Sequence, residues 1–291
     1  MSSPRLVVLG TAQDGGIPHV GCHCDTCSRA RANPRLRRAP TAMALLDPEK
    51  GTWTLIDATP AFPEQLERMA RRLPEPRLMS SVVLSHAHVG HYTGLMYLGR
   101  ETMGTRDVPV YAGPTVCAFL REHGPWKQLV ELGNIELTVF ADNMAFTPPG
   151  VADVRITPVP VPHRNEYSLT HGFLIEGPQR RVLYVSDIDR WEQWDRDIAE
   201  VATDVDLCFL DATFYDEHEL ESIGRSYDEV PHPLVTETMD RLEQVVASGR
   251  TAVYLTHLNH TNRSLRTGDS AFDEIRARGF KLAEEDSSFE L

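Results

Sequence analysis

No apolar run in this 291-residue chain approaches the roughly 20 residues needed to cross a bilayer, which excludes a helical membrane span. The layout of a secretory signal is also missing. The N-terminus enters the short apolar run Leu6-Val7-Val8-Leu9 almost at once. A cytoplasmic location is the expectation that follows. Basic residues are outnumbered, with 29 Lys and Arg against 42 Asp and Glu and a net charge of −13. Backbone binding to nucleic acid needs clustered cations that displace counterions, so no nucleic-acid partner is expected. The one local exception, Arg29-Ala30-Arg31 through Arg35-Leu36-Arg37-Arg38, reads as a solvated helix and loop. The five cysteines are too few and too clustered for a secreted disulfide scaffold. Repeats, low-complexity tracts and long linkers are absent from the sequence. Residues 1–291 therefore read as a single domain with no membrane partner expected. No surface stripe fixes the oligomeric state, and a homo-oligomer fits the sequence as well as a monomer.

What the chain has in quantity is short apolar runs of strand type. They include Leu6–Leu9, Thr52–Ile56, Ser81–Leu84, Val108–Tyr111, Ile135–Phe140, Val154–Thr157, Gly172–Ile175, Val182–Val185, Leu207–Leu210 and Ala252–Thr256. Helical spacing of apolar residues predicts helices over Pro63–Leu73, Leu234–Ser248 and Ala271–Arg278. Strands in the majority, mixed with helices, predict an α/β domain with large sheets.

The segment Ser85-His86-Ala87-His88-Val89-Gly90-His91 follows the apolar run Val82-Val83-Leu84. A strand ending in such a loop aims several imidazoles at one point, and neutral imidazole is a common metal ligand. Other candidates also follow apolar runs: His163 after Val161-Pro162, Asp187 after Val185-Ser186, His257 after Leu255-Thr256, and Asp211 after Phe209-Leu210. Strand ends gathered on one edge of a layered α/β domain form a natural site. Several imidazoles, a carboxylate and an open position are what a hydrolytic metal site requires.

This series resembles the ligands of the metallo-β-lactamase fold superfamily, whose fold is a four-layered αββα sandwich. By that resemblance, His86, His88 and His163 form a first metal site. His91, Asp187 and His257 serve a second, with Asp187 bridging. Asp57, in Leu55-Ile56-Asp57-Ala58, matches the acidic residue that orients a ligating histidine from behind. The family pattern places an Asp where Gly90 stands. What remains, His91, His257 and Asp187, has the composition of the facial triad of non-haem Fe(II) enzymes. One or two active-site metals are therefore expected, from Zn, Mn or Fe. The three-histidine site is expected to be the tighter.

Cys22, Cys24 and Cys27 form a Cys-x-Cys-x-x-Cys cluster, three quarters of a tetrahedral zinc site. His260, three residues after His257, is the expected fourth ligand of a structural zinc. His23, between two thiolates, is an awkward competitor. Cys117 and Cys208 read as core residues.

The cluster and the late His-x-x-His resemble the cyclic phosphodiesterases of bacterial phosphonate breakdown. The run Leu9-Gly10-Thr11-Ala12-Gln13-Asp14-Gly15-Gly16-Ile17-Pro18 is more similar to the protein B family of pyrroloquinoline quinone (PQQ) biosynthesis. So are Leu210 to Asp216, His257 to Asn262 and Phe289-Glu290-Leu291. That family implies an iron-using step that hydroxylates a tyrosine-derived precursor. The chain departs from its pattern by carrying His86 and His88, by losing the Asp at Gly90, and by having His260 in place of Asn.

Asp211 followed by His232, in Pro231-His232-Pro233, resembles a pair in the tRNA 3′-end processing nucleases of the same fold. There an acidic residue holds a histidine that protonates the leaving group. Tyr92 reads either as a substrate contact or as the start of a helix over Thr93–Arg100. Asp14 stands in a loop expected near the site, either as an ordinary Asp-Gly turn or as a substitute for the missing carboxylate. The leading expectation is a metal-dependent hydrolase of a small ester or phosphodiester. In it a metal-acidified water attacks, Asp187 steadies the nucleophile and His232, held by Asp211, supplies a proton. An iron-dependent oxygenase is the alternative, and a binding or carrier protein on a degenerate site is the third.

Overall fold

The computed structural model describes residues 3–291. Its elements are two sheets whose outer faces carry helices. The first sheet contains β1 (Arg5–Gly10), β2 (Ala42–Asp47), β3 (Thr52–Ile56), β4 (Ser81–Val83), β5 (Val108–Ala112) and β6 (Ile135–Val139). The second contains β7 (Arg155–Val161), β8 (Thr170–Glu176), β9 (Arg181–Val185), β10 (Leu207–Asp211), β11 (Ala252–Thr256) and β12 (Lys281–Leu282). The last strand, β13 (Ser288–Glu290), crosses back to pair with β1 at the edge of the first sheet.

The two sheets share one plan. The first runs antiparallel through β1, β2 and β3, then parallel through β4, β5 and β6. The second runs antiparallel through β7, β8 and β9, then parallel through β10, β11 and β12. Parallel neighbours need crossover connections. These are supplied by helices α2 (Phe62–Ala70), α4 (Pro114–Glu122), α6 (Ile198–Thr203), α8 (Val235–Ala247) and α9 (Ala271–Ala277), with α3 (Val89–Tyr92) and α5 (Trp126–Glu131) completing the first half. Two further short helices, α1 (Asp25–Ala32) and α7 (Glu217–Ser222), lie in loops.

Strand periodicity explains the layering. In β1, Leu6 and Val8 enter the core between the sheets, while Val7 and Leu9 face the helices outside. In β9, Val182 and Tyr184 point inward, and Leu183 and Val185 outward. Runs that are apolar at every position are thus buried on both faces. The outer cores pack Trp53, Val82 and Val110 against Phe62, Met69 and Val116, and Leu183, Leu210 and Val253 against Met239, Leu242 and Ile275. This is the expected αββα sandwich.

Every strand expected from the sequence forms. The sequence reading missed β2, β12 and β13, and the short helices α3, α4, α5, α6 and α7. It also ended β7 too early. That strand continues through Pro158 and Pro160, which it tolerates because it is the sheet edge and owes no outward N–H. Thr93–Leu98 is a 3₁₀ segment rather than the predicted helix. Among the described residues no helix is long and apolar enough to cross a membrane.

Candidate metal centre

Both sheets end on a common edge, and their loops carry the histidines. After β4, Leu84 still bonds to Tyr111 O, and the chain then leaves the sheet to form His86, His88 and α3. His163 follows β7, where the amide of Asp189 donates to Pro162 O at 2.7 Å. Asp187 follows β9, Asp211 ends β10, and His257 follows β11. His86, His91, His163, His257, Asp187, Asp57 and Asp211 are all buried, and His88 is half-buried.

Two backbone positions bend sharply at this edge. Asp57 has φ 65° and His257 has φ 59°, both in the left-handed region. Non-glycine residues seldom occupy it, and such outliers gather at functional sites.

Each imidazole is gripped by one ring nitrogen. His91 Nδ1 donates to Asp57 Oδ2 at 2.9 Å, and His163 Nδ1 donates to Asp189 Oδ1 at 2.9 Å. Ser85 Oγ donates to Asp57, so it can only accept from His86 Nδ1, at 2.9 Å. By the same logic Thr213 Oγ1 donates to Asp211 and accepts from His257 Nδ1, at 2.9 Å. His88 is turned the other way, with Nε2 on Glu166 Oε2 at 3.1 Å. These outer partners fix the tautomer and leave the opposite nitrogen bare toward the pocket.

The bare atoms converge. His86 Nε2 and His88 Nδ1 are 3.0 Å apart. His86, His88 and His163 offer ligand atoms within 4.8 Å of one another. Asp187 lies between the two groups: Oδ2 is 3.3 Å from His91 Nε2, and Oδ1 is 3.3 Å from His257 Nε2 and 3.8 Å from His163 Nε2. His91 Nε2, His163 Nε2, His257 Nε2 and Asp187 Oδ2 are buried and make no hydrogen bond. Buried polar atoms in native proteins are nearly always satisfied. A cation is the partner that four convergent lone-pair carriers call for, and the donor set of imidazoles and carboxylate fits a zinc, manganese or iron ion.

The electrostatics divide the pocket. Burial and the neighbouring imidazoles hold His86 well below the usual histidine range, and burial lowers His88 as well. Burial opposes charge on His91 and His257 too, but the surrounding carboxylates overcome it. Asp187, Asp57 and Asp14 raise His91 well above its usual value, and Asp187 and Asp14 raise His257. Burial works to raise Asp187, yet the facing imidazoles hold it far below the usual carboxylate range.

His232 stands beside the pocket. Its Nδ1 lies 2.7 Å from Asp211 Oδ2, and its ring is 5.3 Å from that of His163 and 5.6 Å from that of His257. It is buried rather than a surface histidine. Tyr92 is not at the pocket: it closes α3 and packs against Trp126 and Phe119, at 4.7 and 5.2 Å between ring centres.

Cys22, Cys24, Cys27 and His260 also converge, with ligand atoms within 4.8 Å of one another. His260 Nδ1 is 3.5 Å from both Cys22 Sγ and Cys24 Sγ. The Cys24 amide donates to Cys22 Sγ and lowers that thiol. His23 is exposed, and Cys117 and Cys208 are buried core residues.

Residues that sequence reasoning missed are the outer partners Ser85, Asp189, Thr213 and Glu166. Three of them carry a signal in retrospect, since each lies within two residues of a site residue: Ser85 before His86, Asp189 after Asp187, Thr213 after Asp211. Glu166 carries none, because its approach to His88 depends on how the loop after β7 folds back.

Comparison with known proteins agrees with this architecture. The Beta-lactamase superfamily domain matches residues 52–258. Coenzyme PQQ synthesis protein B of Rhizobium meliloti (strain 1021) is 28% identical, covering 97% of this chain and 96% of that protein. The protein of the same name from Methylorubrum populi is 23% identical over 99% and 100% of the two chains. Among solved structures, Zn(2+)-bound PqqB from Methylobacterium extorquens superposes with a TM-score of 0.82 at 21% identity, covering 99% of this chain and 100% of that one. A diphosphatase from the PhnP family superposes with a TM-score of 0.70 at 24% identity, over 99% and 97%. Two sheets in four layers, histidines along one sheet edge and a family match over most of its length make this chain a member of the β-lactamase superfamily, with the metallo-β-lactamase fold.

Proposed function

We propose that the protein is a metal-dependent hydrolase of a small ester or phosphodiester. The observation that carries this reading is the set of buried nitrogens left bare by their outer hydrogen bonds, all aimed at one volume. His86, His88 and His163 would hold one zinc, manganese or iron ion, and His91, His257 and Asp187 would contribute to a second position. When bound, the metal supplies Lewis acidity and a water acidic enough to attack near neutral pH. Asp187 accepts a proton or hydrogen bond from the attacking water. His232, fixed by Asp211 through Nδ1, presents Nε2 to the leaving group and protonates it. Cys22, Cys24, Cys27 and His260 would hold a structural zinc. A surface with net charge −13 supports a small-molecule substrate rather than a nucleic acid.

A second reading has its own support. The full-length similarity to Coenzyme PQQ synthesis protein B, with two imidazoles and a carboxylate at the second position, favours an iron-dependent oxygenase acting on a quinone-cofactor-related precursor.

Oxygen separates the two. The purified protein is loaded with Zn²⁺, Mn²⁺ or Fe²⁺ and assayed with bis(4-nitrophenyl) phosphate and 4-nitrophenyl esters, with and without O₂. Turnover of either substrate without O₂ is expected. O₂ consumption with Fe²⁺ and no ester turnover would transfer the assignment to the second reading. A histidine pocket that binds no metal would sink both.

A further inference from the structure

We infer that Asp14 is the carboxylate ligand of the second metal position, delivered from the loop after β1 into the space that Gly90 leaves open. This rests on the reading of the pocket as a metal centre.

The first observation is steric. A Cβ added to Gly90 would lie 2.0 Å from Asp14 Oδ1, 2.5 Å from its Cγ and 3.0 Å from its Cα. The Asp14 carboxylate thus occupies the volume that any side chain at position 90 would need. A side chain at 90 and the seated Asp14 exclude each other.

The second is aim. Asp14 Oδ1 lies 3.5 Å from His91 Nε2 and 3.7 Å from His257 Nε2, two buried atoms with no hydrogen-bond partner. The three residues offer ligand atoms within 4.8 Å of one another.

The third is support. The loop carrying Asp14 is strapped on both sides. Gln13 N donates to Leu258 O at 2.9 Å, next to His257, and Gly16 N closes a turn onto Gln13 O at 2.8 Å. Ala12 bridges both Pro40 and Leu258, and its carbonyl accepts from Thr41 N at 2.8 Å. A turn that merely happened to face the pocket would not need this bracing from the strand that delivers His257. Charge agrees with the assignment. Asp14 and Asp187 bring two negative charges to His91 and His257, so that one divalent cation leaves the position neutral.

The test is metal counting on the full-length protein, stripped with a chelator and titrated with Zn²⁺ or Mn²⁺. Bound metal is measured by mass spectrometry and affinity by competition with a chromophoric chelator. The parent is expected to take two ions at the histidine pocket. Asp14→Ala should weaken the second ion on the order of 100-fold, at the upper end of what loss of even an outer partner does. Gly90→Ala should do the same by pushing the carboxylate out. The exchange variant Asp14→Gly with Gly90→Asp moves the carboxylate to the other side of the same gap, and should recover the second ion. Recovery also controls for a folding defect in the single variants. Asp14→Ala with the parent's metal content and affinity overturns the assignment. So does a parent that takes only one ion at the histidines, counted after subtracting the ion lost in Cys24→Ser, or an exchange variant no better than Asp14→Ala. A parent that takes no ion at the histidines sinks the metal-centre reading itself, which is a different result.

Discussion

The histidine pocket is assembled from the strand ends of both sheets, whereas the cysteine cluster joins two loops outside them. The pocket's donors are hard and borderline, buried except for the half-buried His88, and each histidine is held by an outer partner. The cluster's donors are three sulfurs and one imidazole, part-exposed, with a complete set of four. Four protein ligands close a tetrahedral site, and a closed site stabilises structure. The pocket instead spreads its donors over two groups on either side of Asp187. Under the proposed reading, imidazoles with carboxylates on strand ends would make a chemical site, and imidazole with thiolates on loops a staple.

Substitutions should separate the two regions by what they damage. The largest loss of turnover is expected for His163→Ala. Lewis-acid assistance is worth several kcal/mol, so the rate should fall at least about 10³-fold. A variant that keeps its turnover with pocket metal unchanged would break the contrast at its centre. His232→Asn should cost about 10²-fold or more on a substrate with a poor alkoxide leaving group, and far less on a 4-nitrophenyl substrate. Equal losses on both would remove proton donation from His232. Asp57→Asn leaves the ligand His91 in place but weakens its anchor. Pocket metal affinity should drop about 10–100-fold, read by chelator competition, and an unchanged affinity would mean that Asp57 only shapes the loop.

Cys24→Ser is expected to change turnover least, within about twofold at saturating pocket metal, yet to unfold earlier. Loss of an ion present at 1,000 times its Kd removes about 4 kcal/mol, and roughly 2–4 °C per kcal/mol gives a fall of about 10 °C. Parent-like melting with one fewer ion per chain would show that the cluster is no staple.

Much of this was readable before the fold was known, for a local reason. The histidine loop, the cysteine cluster and the apolar runs are short-range patterns, and two-faced burial leaves a run apolar at every position. The strand β2 was missed because Ala42-Met43-Ala44 has weak strand character alone and is held by neighbours on both sides. The strand β13 exists because an edge of the first sheet was free to receive it. Within the site, the histidines and Asp187 that converge were legible, and their outer hydrogen-bond partners mostly were not. Asp14 is the intermediate case, readable either as an ordinary Asp-Gly turn or as a substitute carboxylate. Its proximity to Gly90 and His257 depends on three loops meeting, and no spacing in the sequence encodes that.

The left-handed backbone at Asp57 and His257 carries a further consequence for how this protein should be handled. Such conformations each cost about 1–3 kcal/mol, against a typical net stability of 5–15 kcal/mol. The same edge buries four polar atoms without hydrogen bonds. Under the proposed reading a bound cation would satisfy those four atoms, while the backbone cost at Asp57 and His257 would remain. Melting curves taken in a chelating buffer and with added metal are then expected to differ. Selection for heat tolerance in the absence of metal would act first on the residues that make the pocket useful.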